Sequence, residues 1–71
     1  MRTFREIEKL LEQEERLPAG APETEQETYH ALQGINSLYR SGIFDRGTAR
    51  EHKDRLAALY SQATAARKDY R

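Results

Sequence analysis

Residues 45–70 read DRGTAREHKDRLAALYSQATAARKDY, and the positions of their apolar side chains predict one long C-terminal helix. Small and apolar residues recur here at intervals of three and four, which is the spacing of a heptad seam along one helix face. The members of this seam are Ala49, His52, Leu56, Leu59, Ala63, Ala66 and Tyr70. With Asp45 as the N-cap, the helix is predicted over about 46–68, a length of roughly 34 Å.

A first, shorter helix is predicted near the N-terminus. Thr3 and Glu6 fit a capping box, in which each side chain satisfies a backbone N–H at the start of a helix. Phe4, Ile7, Leu10 and Leu11 follow at helical spacing. A proline at position 18 disfavours helical geometry in the residue before it, so the helix is predicted over about 4–17.

A second helix is predicted over about 23–41. It begins either with a capping box from Thr24 to Glu27 or with Pro22 in its first turn. Gly42 is predicted as the left-handed residue after its end, with Ile43 as the apolar residue that often follows in a Schellman motif. The apolar stripe of this helix consists of Tyr29, Leu32, Ile35, Leu38 and Tyr39.

The composition favours one small all-α domain over residues 1–71 that is completed by a second copy of itself. The chain has no Cys, so no disulfide supports the core, and a domain of this size buries only roughly 60% of its unfolded surface. The first two helices are also too short to cover the third. We therefore expect a helical bundle completed by homo-oligomerisation, as a dimer or tetramer. The predicted oligomer interface comprises His52, Leu56, Leu59, Ala63, Ala66 and Tyr70.

The formal net charge of zero conceals an asymmetry between the two halves of the chain. Residues 1–27 carry eight acidic and four basic side chains, and residues 28–71 carry four acidic and eight basic, so the halves are formally −4 and +4. Either the halves face each other, within one chain or between chains, or the basic half meets an anion.

The junction between the second and third helices concentrates aromatic, basic and glycine residues, in the sequence YRSGIFDRGT at positions 39–48. Arg46 and Arg50 follow at the start of the third helix, where the helix dipole disfavours cations, and they repel each other at i,i+4 spacing. Such a local penalty suggests that an anion lies opposite, and helix N-termini bind phosphate readily. The predicted ligand-binding residues are Tyr39, Arg40, Arg46, Arg50 and Lys53.

A purely structural role for the same basic stripe is the competing interpretation. Acidic residues on the first helix have the matching spacing of four and three, namely Glu8, Glu12 and Glu15. Two complementary stripes beside apolar seams can orient helix packing. Within the third helix, Arg50 can also pair with Asp54, and Glu51 with Arg55, at i,i+4 spacing. The sequence leaves open which of these roles the stripe has.

The sequence favours no enzyme. It has no Cys, no glycine-rich phosphate loop after a strand and no His pair at metal-binding spacing, so we expect no metal and no cofactor. A pI near 6.7 disfavours nucleic acid as a partner. The charged N-terminal residues do not resemble a signal peptide, and no apolar run could span a membrane. These features predict a cytoplasmic protein, in the host cytoplasm if the chain is phage-encoded.

Residues 39–60, YRSGIFDRGTAREHKDRLAALY, resemble small helical proteins encoded by phages and prophages, in which a Tyr-Arg-x-Gly turn precedes a long charged helix. The resemblance covers about a third of the chain. In size, helicity and its basic–aromatic turn, the chain is also similar to phage anti-defence proteins called sponges. These are helical homo-oligomers that sequester cyclic nucleotide immune signals, and no sponge motif matches residue by residue.

Three functional hypotheses follow. The leading one is a non-enzymatic phage-type binding protein that sequesters a small anionic nucleotide immune signal. The alternative is a protein–protein inhibitor or adaptor whose helices dock on a host protein. The third and least favoured is a DNA-binding regulator that uses the basic stripe of the last helix, which predicts strongly salt-dependent binding.

Overall fold

The structure is a computed structural model that describes the backbone of residues 1–69 and the side chains of residues 1–65. It contains three helices and, within these residues, no strand: α1 (Phe4–Glu12), α2 (Glu23–Arg40) and α3 (Arg46–Asp69). The predicted all-α class, with two shorter helices and one long one, is therefore confirmed. Tyr70 and the side chain of Ala66, both assigned to the predicted oligomer interface, lie outside the described residues. None of these helices has the length and apolar content needed to cross a membrane.

The capping box predicted for α1 is confirmed at its N-terminus. The Glu6 N–H donates to the Thr3 hydroxyl at 3.2 Å, and the Thr3 N–H donates to a Glu6 carboxylate oxygen at 3.1 Å. These two hydrogen bonds hold the pKa of the Glu6 carboxyl below its usual range. The sequence signal at this end was sufficient because both partners are local.

The predicted end of α1 at residue 17 is wrong, because the helix stops at Glu12. Glu14 has a φ of 56°, and a Schellman motif closes the helix there: the N–H groups of Glu14 and Glu15 donate to the carbonyls of Leu11 and Leu10 at 3.2 and 2.8 Å. A non-glycine residue in this left-handed region costs about 1 kcal/mol or more. Glycine is the usual residue at this left-handed position, and Glu14 stands there instead. The predicted end therefore depended on Pro18, which lies beyond the actual end of the helix.

α2 begins and ends close to its predicted range of 23–41, but its N-terminus is capped in neither of the two predicted ways. Pro22 is the N-cap, one position before the first turn, and the box from Thr24 to Glu27 does not form the cap. At the other end Gly42 has a φ of 83° and donates to the Tyr39 carbonyl at 3.2 Å, while the Ile43 N–H donates to the Leu38 carbonyl at 3.0 Å. This Schellman motif turns the chain sharply back into α3.

The core takes one buried side chain from each helix: Ile7, Leu32 and Tyr60. Around it pack four partly buried residues, Phe4, Leu11, Tyr29 and Leu56. Tyr60 lies more than halfway along α3. The first two helices and the N-terminal residues therefore cover more of α3 than we expected from the lengths of the helices. A further groove lies between residues 1–4 and α3, and within the described side chains its lining extends along α3 as far as Thr64.

The predicted seam of α3 does not form a single face. Ala49 is buried and Leu56 packs against the core, so both belong to the interior of one chain. Leu59, by contrast, is 57% exposed. Tyr60, the next residue, enters the core instead, and consecutive side chains on a helix point about 100° apart, so Leu59 lies away from the interior. His52, also assigned to the interface, stacks on Phe44 of the same chain with ring centroids 4.8 Å apart.

Candidate functional site

An open groove of about 260 Å³ lies between α2 and the first half of α3, and we call it the basic groove. It is lined by Asn36, Tyr39, Arg46, Ala49, Arg50 and Lys53. Four of the five residues predicted to bind a ligand therefore line one groove. Ala49 is buried and contributes a small side chain between the larger ones, which leaves room beside the α3 backbone.

The turn between α2 and α3 determines this arrangement. The left-handed Gly42 reverses the chain, and Asp45 then caps α3 by accepting the Thr48 N–H at 2.7 Å. That hydrogen bond holds the pKa of the Asp45 carboxyl below its usual range. With α3 starting at residue 46, the spacing of four between Arg46 and Arg50 puts both side chains on one helix face. The tight turn brings that face beside Tyr39, at the end of α2.

The cations of the basic groove differ in their pairing. Lys53 Nζ lies 3.5 Å from a Glu8 carboxylate oxygen of α1, so the structural interpretation of the stripe holds for this residue. Arg46 and Arg50 are exposed, and no carboxylate oxygen of residues 1–65 lies within 4.0 Å of either guanidinium. Within the described residues, no ion pair therefore offsets the charge repulsion between the two arginines.

The other ion pairs considered for the basic stripe do not form in the described part of the chain. Asp54 is not within 4.0 Å of Arg50, and Glu51 is not within 4.0 Å of Arg55. Glu12 instead lines a small surface pocket of α1 together with Arg5 and Lys9. Among the described residues, one ion pair thus joins the two matched stripes, namely that of Lys53 with Glu8.

Arg40 does not line the basic groove. It lies in a neighbouring groove of about 450 Å³ on the other side of Asn36, which we call the second groove. The residues that line it include Glu14, Arg16, Tyr29, Gln33, Asn36 and Arg40. Tyr39 and Arg40 are adjacent in sequence, but consecutive side chains on a helix point about 100° apart, so the two residues face different grooves.

A buried polar cluster at the opposite end of the molecule was missed by the sequence analysis, and we call it the N-terminal junction. Glu25 of α2 is 1% exposed, and its two carboxylate oxygens accept the Arg2 N–H at 3.2 Å and the Arg2 guanidinium at 2.9 Å. The Tyr60 hydroxyl donates to the Arg2 carbonyl. Burial, and then the nearby Glu25 carboxylate, raise the pKa of Tyr60. Glu25 lies seven residues before Leu32, on the same helix face, which was the available signal.

Comparisons with known proteins found no matching family model, no similar curated protein and no similar solved structure. The resemblance of residues 39–60 to phage-encoded proteins therefore stays a prediction. What the protein binds has to be inferred from the chemistry of its own grooves.

Proposed function

We propose that this chain is a non-enzymatic binding protein that holds a small anionic ligand of the nucleotide class in the basic groove. The proposal rests on Arg46 and Arg50, two exposed cations on one groove wall that no acid in the described part of the chain approaches within 4.0 Å. Both sit near the N-terminus of α3, where the dipole disfavours cations and favours anions. A phosphate bound between them would offset both unfavourable interactions.

The residue types of the basic groove match the parts of a nucleotide. Arginine guanidinium groups bind phosphate through two parallel hydrogen bonds, which a lysine ammonium cannot do. Tyr39 is 47% exposed, so its ring is accessible to a base, and stacking of this kind contributes roughly 1–3 kcal/mol per base. The Asn36 amide adds a donor and an acceptor that can meet a base edge or a ribose hydroxyl. A simple inorganic anion would use the arginines alone.

The biological role we propose is sequestration of a nucleotide signal, as in phage anti-defence proteins. The support for this role is the resemblance of residues 39–60 to phage-encoded proteins together with the absence of an evident catalytic constellation in the sequence. A protein that only holds its ligand needs no acid–base pair. It needs cations and an aromatic surface on a stable scaffold.

Thermal unfolding with a panel of cyclic and linear nucleotides tests the proposal. A ligand at about 100 times its dissociation constant stabilises the folded state by roughly 2.7 kcal/mol, which raises the melting temperature measurably. We expect at least one nucleotide to do so in the wild type and in an Arg55→Ala control, since Arg55 is exposed on the same helix but lies outside the groove. The double variant Arg46→Ala/Arg50→Ala should show no rise. If no nucleotide raises the melting temperature of the wild type, the proposal is rejected.

We propose self-association as a separate property of α3. Its support is Leu59, a large apolar side chain that is 57% exposed, with the partly buried Ala63 one turn further on the same stripe. Light scattering at micromolar concentration should give the mass of a dimer or tetramer, and Leu59→Glu should reduce it to that of a monomer. A monomeric wild type would exclude self-association and leave the ligand proposal unaffected.

A docking role on a host protein is the second candidate, because Ile43 is 70% exposed at the turn beside the basic groove. In this case Ile43 would be the apolar anchor of a protein interface with a basic rim. A partner captured from host lysate should then be lost with Ile43→Asp and kept with Arg55→Ala. Capture that is insensitive to Ile43→Asp would exclude this mode of docking.

A further inference from the structure

The second groove continues the basic groove, and Asn36 lines both. One face of α2 supplies a wall of the second groove, and Asn36 on this face also lines the basic groove. Tyr29, Gln33, Asn36 and Arg40 follow each other on this face at spacings of four, three and four residues. At the helical rise per residue, this wall is roughly 16 Å long. The two grooves are therefore neighbouring parts of one surface.

The second groove repeats the chemistry of the first. It contains two exposed arginines, Arg16 from the loop after α1 and Arg40 from the end of α2. It also contains an aromatic ring, Tyr29, whose hydroxyl donates to the Glu15 carbonyl at 2.9 Å and is thereby held in place. Each groove thus combines a pair of arginines with one tyrosine. A ligand with a single phosphate would use only one of these pairs.

Carboxylates limit the length of this surface. Glu8 lies at 3.5 Å from Lys53, which lines the basic groove, and Glu14 lines the second groove. Because negative side chains repel phosphates, these carboxylates disfavour a ligand that carries more phosphates than the two arginine pairs can bind. The arrangement therefore fits a short ligand better than a long single strand.

We infer that the two grooves form one extended site for a linear dinucleotide, with one phosphate at Arg46 and Arg50 and the other at Arg16 and Arg40. This inference rests on the proposed function and deepens it by naming the class of nucleotide. In the bound state one base stacks on Tyr39 and the other lies against Tyr29. Asn36, common to both grooves, faces the middle of the ligand.

Calorimetric titration with three probes tests the inference: AMP, the linear dinucleotide pApA and an eight-residue oligoadenylate. We expect pApA to bind at least about tenfold more tightly than AMP, since two phosphates and two bases are held instead of one. The double variant Arg16→Ala/Arg40→Ala should weaken pApA by at least about tenfold and AMP by much less, since AMP can still bind the intact basic groove. Arg46→Ala/Arg50→Ala should weaken both probes, and the control Arg55→Ala neither.

The outcomes separate the inference from the function on which it rests. Equal affinities for AMP and pApA, or an Arg16→Ala/Arg40→Ala variant that binds pApA like the wild type, would overturn the extended site and leave nucleotide binding standing. No binding of any probe would reject both. The oligoadenylate contains several overlapping dinucleotide segments, so binding more than about tenfold tighter than that of pApA would overturn the dinucleotide assignment in favour of single-stranded nucleic acid. The melting temperature of each variant without ligand confirms that it is folded, and Arg40→Gln alone serves if the double variant is not.

Discussion

The N-terminal junction and the basic groove both contain arginine, but they treat its charge in opposite ways. At the junction Arg2 meets a carboxylate that is almost completely buried, and each of the two oxygens of Glu25 accepts a hydrogen bond from it. In the groove Arg46 and Arg50 are exposed, and within the described side chains no carboxylate oxygen lies within 4.0 Å of either guanidinium. The arginine at the junction is therefore in an ion pair, whereas these two arginines of the basic groove form none within the described residues.

This difference separates residues that hold the fold from residues that are available for binding. Removing one partner of a buried ion pair leaves an uncompensated charge in the interior, which is strongly destabilising. Removing an exposed cation from an unfavourable position should cost no stability. Residues kept at the expense of local stability are characteristic of functional sites. The free energy of unfolding of variants in the N-terminal junction and in the basic groove therefore tests this difference.

The largest expected effect is that of Arg2→Ala. Its guanidinium is lost, and Glu25 keeps only the backbone N–H of residue 2. Because the Arg2 side chain is 35% exposed, we expect a loss of up to about 3 kcal/mol, the lower end of the range for a fully buried pair. Urea denaturation measures this loss. Arg5→Ala, an exposed arginine on α1, is the control and should stay within about 0.5 kcal/mol of the wild type. Equal effects of the two substitutions would show that the junction does not hold the fold.

Tyr60→Phe should have the next largest effect, a loss of about 1 kcal/mol, because the hydroxyl no longer donates to the Arg2 carbonyl. This stabilisation also depends on pH. Since burial raises the pKa of Tyr60, its contribution is complete below the unfolded value of about 10 and is lost as the pH rises further. The stability difference between wild type and Tyr60→Phe should therefore shrink above about pH 10. A difference that is constant up to pH 12 would contradict this assignment.

Glu14→Gly should stabilise the protein by about 0.5–1 kcal/mol, because glycine adopts the left-handed conformation without a Cβ penalty. Thermal unfolding is the measurement. Glu12→Gly, a matched change at the last residue of α1, should destabilise by up to about the same amount. If both substitutions destabilise, the φ of 56° at Glu14 does not carry the expected strain.

The smallest effect on stability is expected in the basic groove. Arg46→Ala/Arg50→Ala relieves a like-charge pair at a helix N-terminus, so we expect a gain of a few tenths of a kcal/mol or about no change. Lys53→Ala should lose up to about 0.5 kcal/mol, since it removes a partly exposed ion pair with Glu8. A loss of more than about 1 kcal/mol in the arginine double variant would mean that these residues serve the fold.

Sequence patterns predicted the parts of the fold that depend on neighbouring residues. The capping box of Thr3 with Glu6, the cap by Asp45 and the Schellman motif at Gly42 each involve partners within a few positions, and all three form. The end of α1 was missed because a glutamate takes the place where a glycine is expected. The burial of Glu25 was missed because its partner, Arg2, is 23 positions away in the sequence.

The sequence also predicted part of the geometry of the candidate site. Arg46 and Arg50 share a face by their spacing alone, and the turn at Gly42 brings Tyr39 beside them. Arg40 was grouped with Tyr39 because the two are adjacent in sequence, but it lines the second groove, since consecutive side chains on a helix point about 100° apart. Asn36 was overlooked although it lies three residues before Tyr39 and four before Arg40, which are the spacings that share a helix face.

The composition of the core has a consequence for the slow exchange of backbone amide hydrogens with solvent. Since Ile7, Leu32 and Tyr60 come from three different helices, no two helices hold a complete core of their own. Local unfolding of α1 should therefore also expose the backbone amides of α2 and α3. The slowest amides of all three helices should then exchange with the same opening free energy. A ligand bound between α2 and α3 should then slow exchange in α1, although no residue of that helix lines the basic groove.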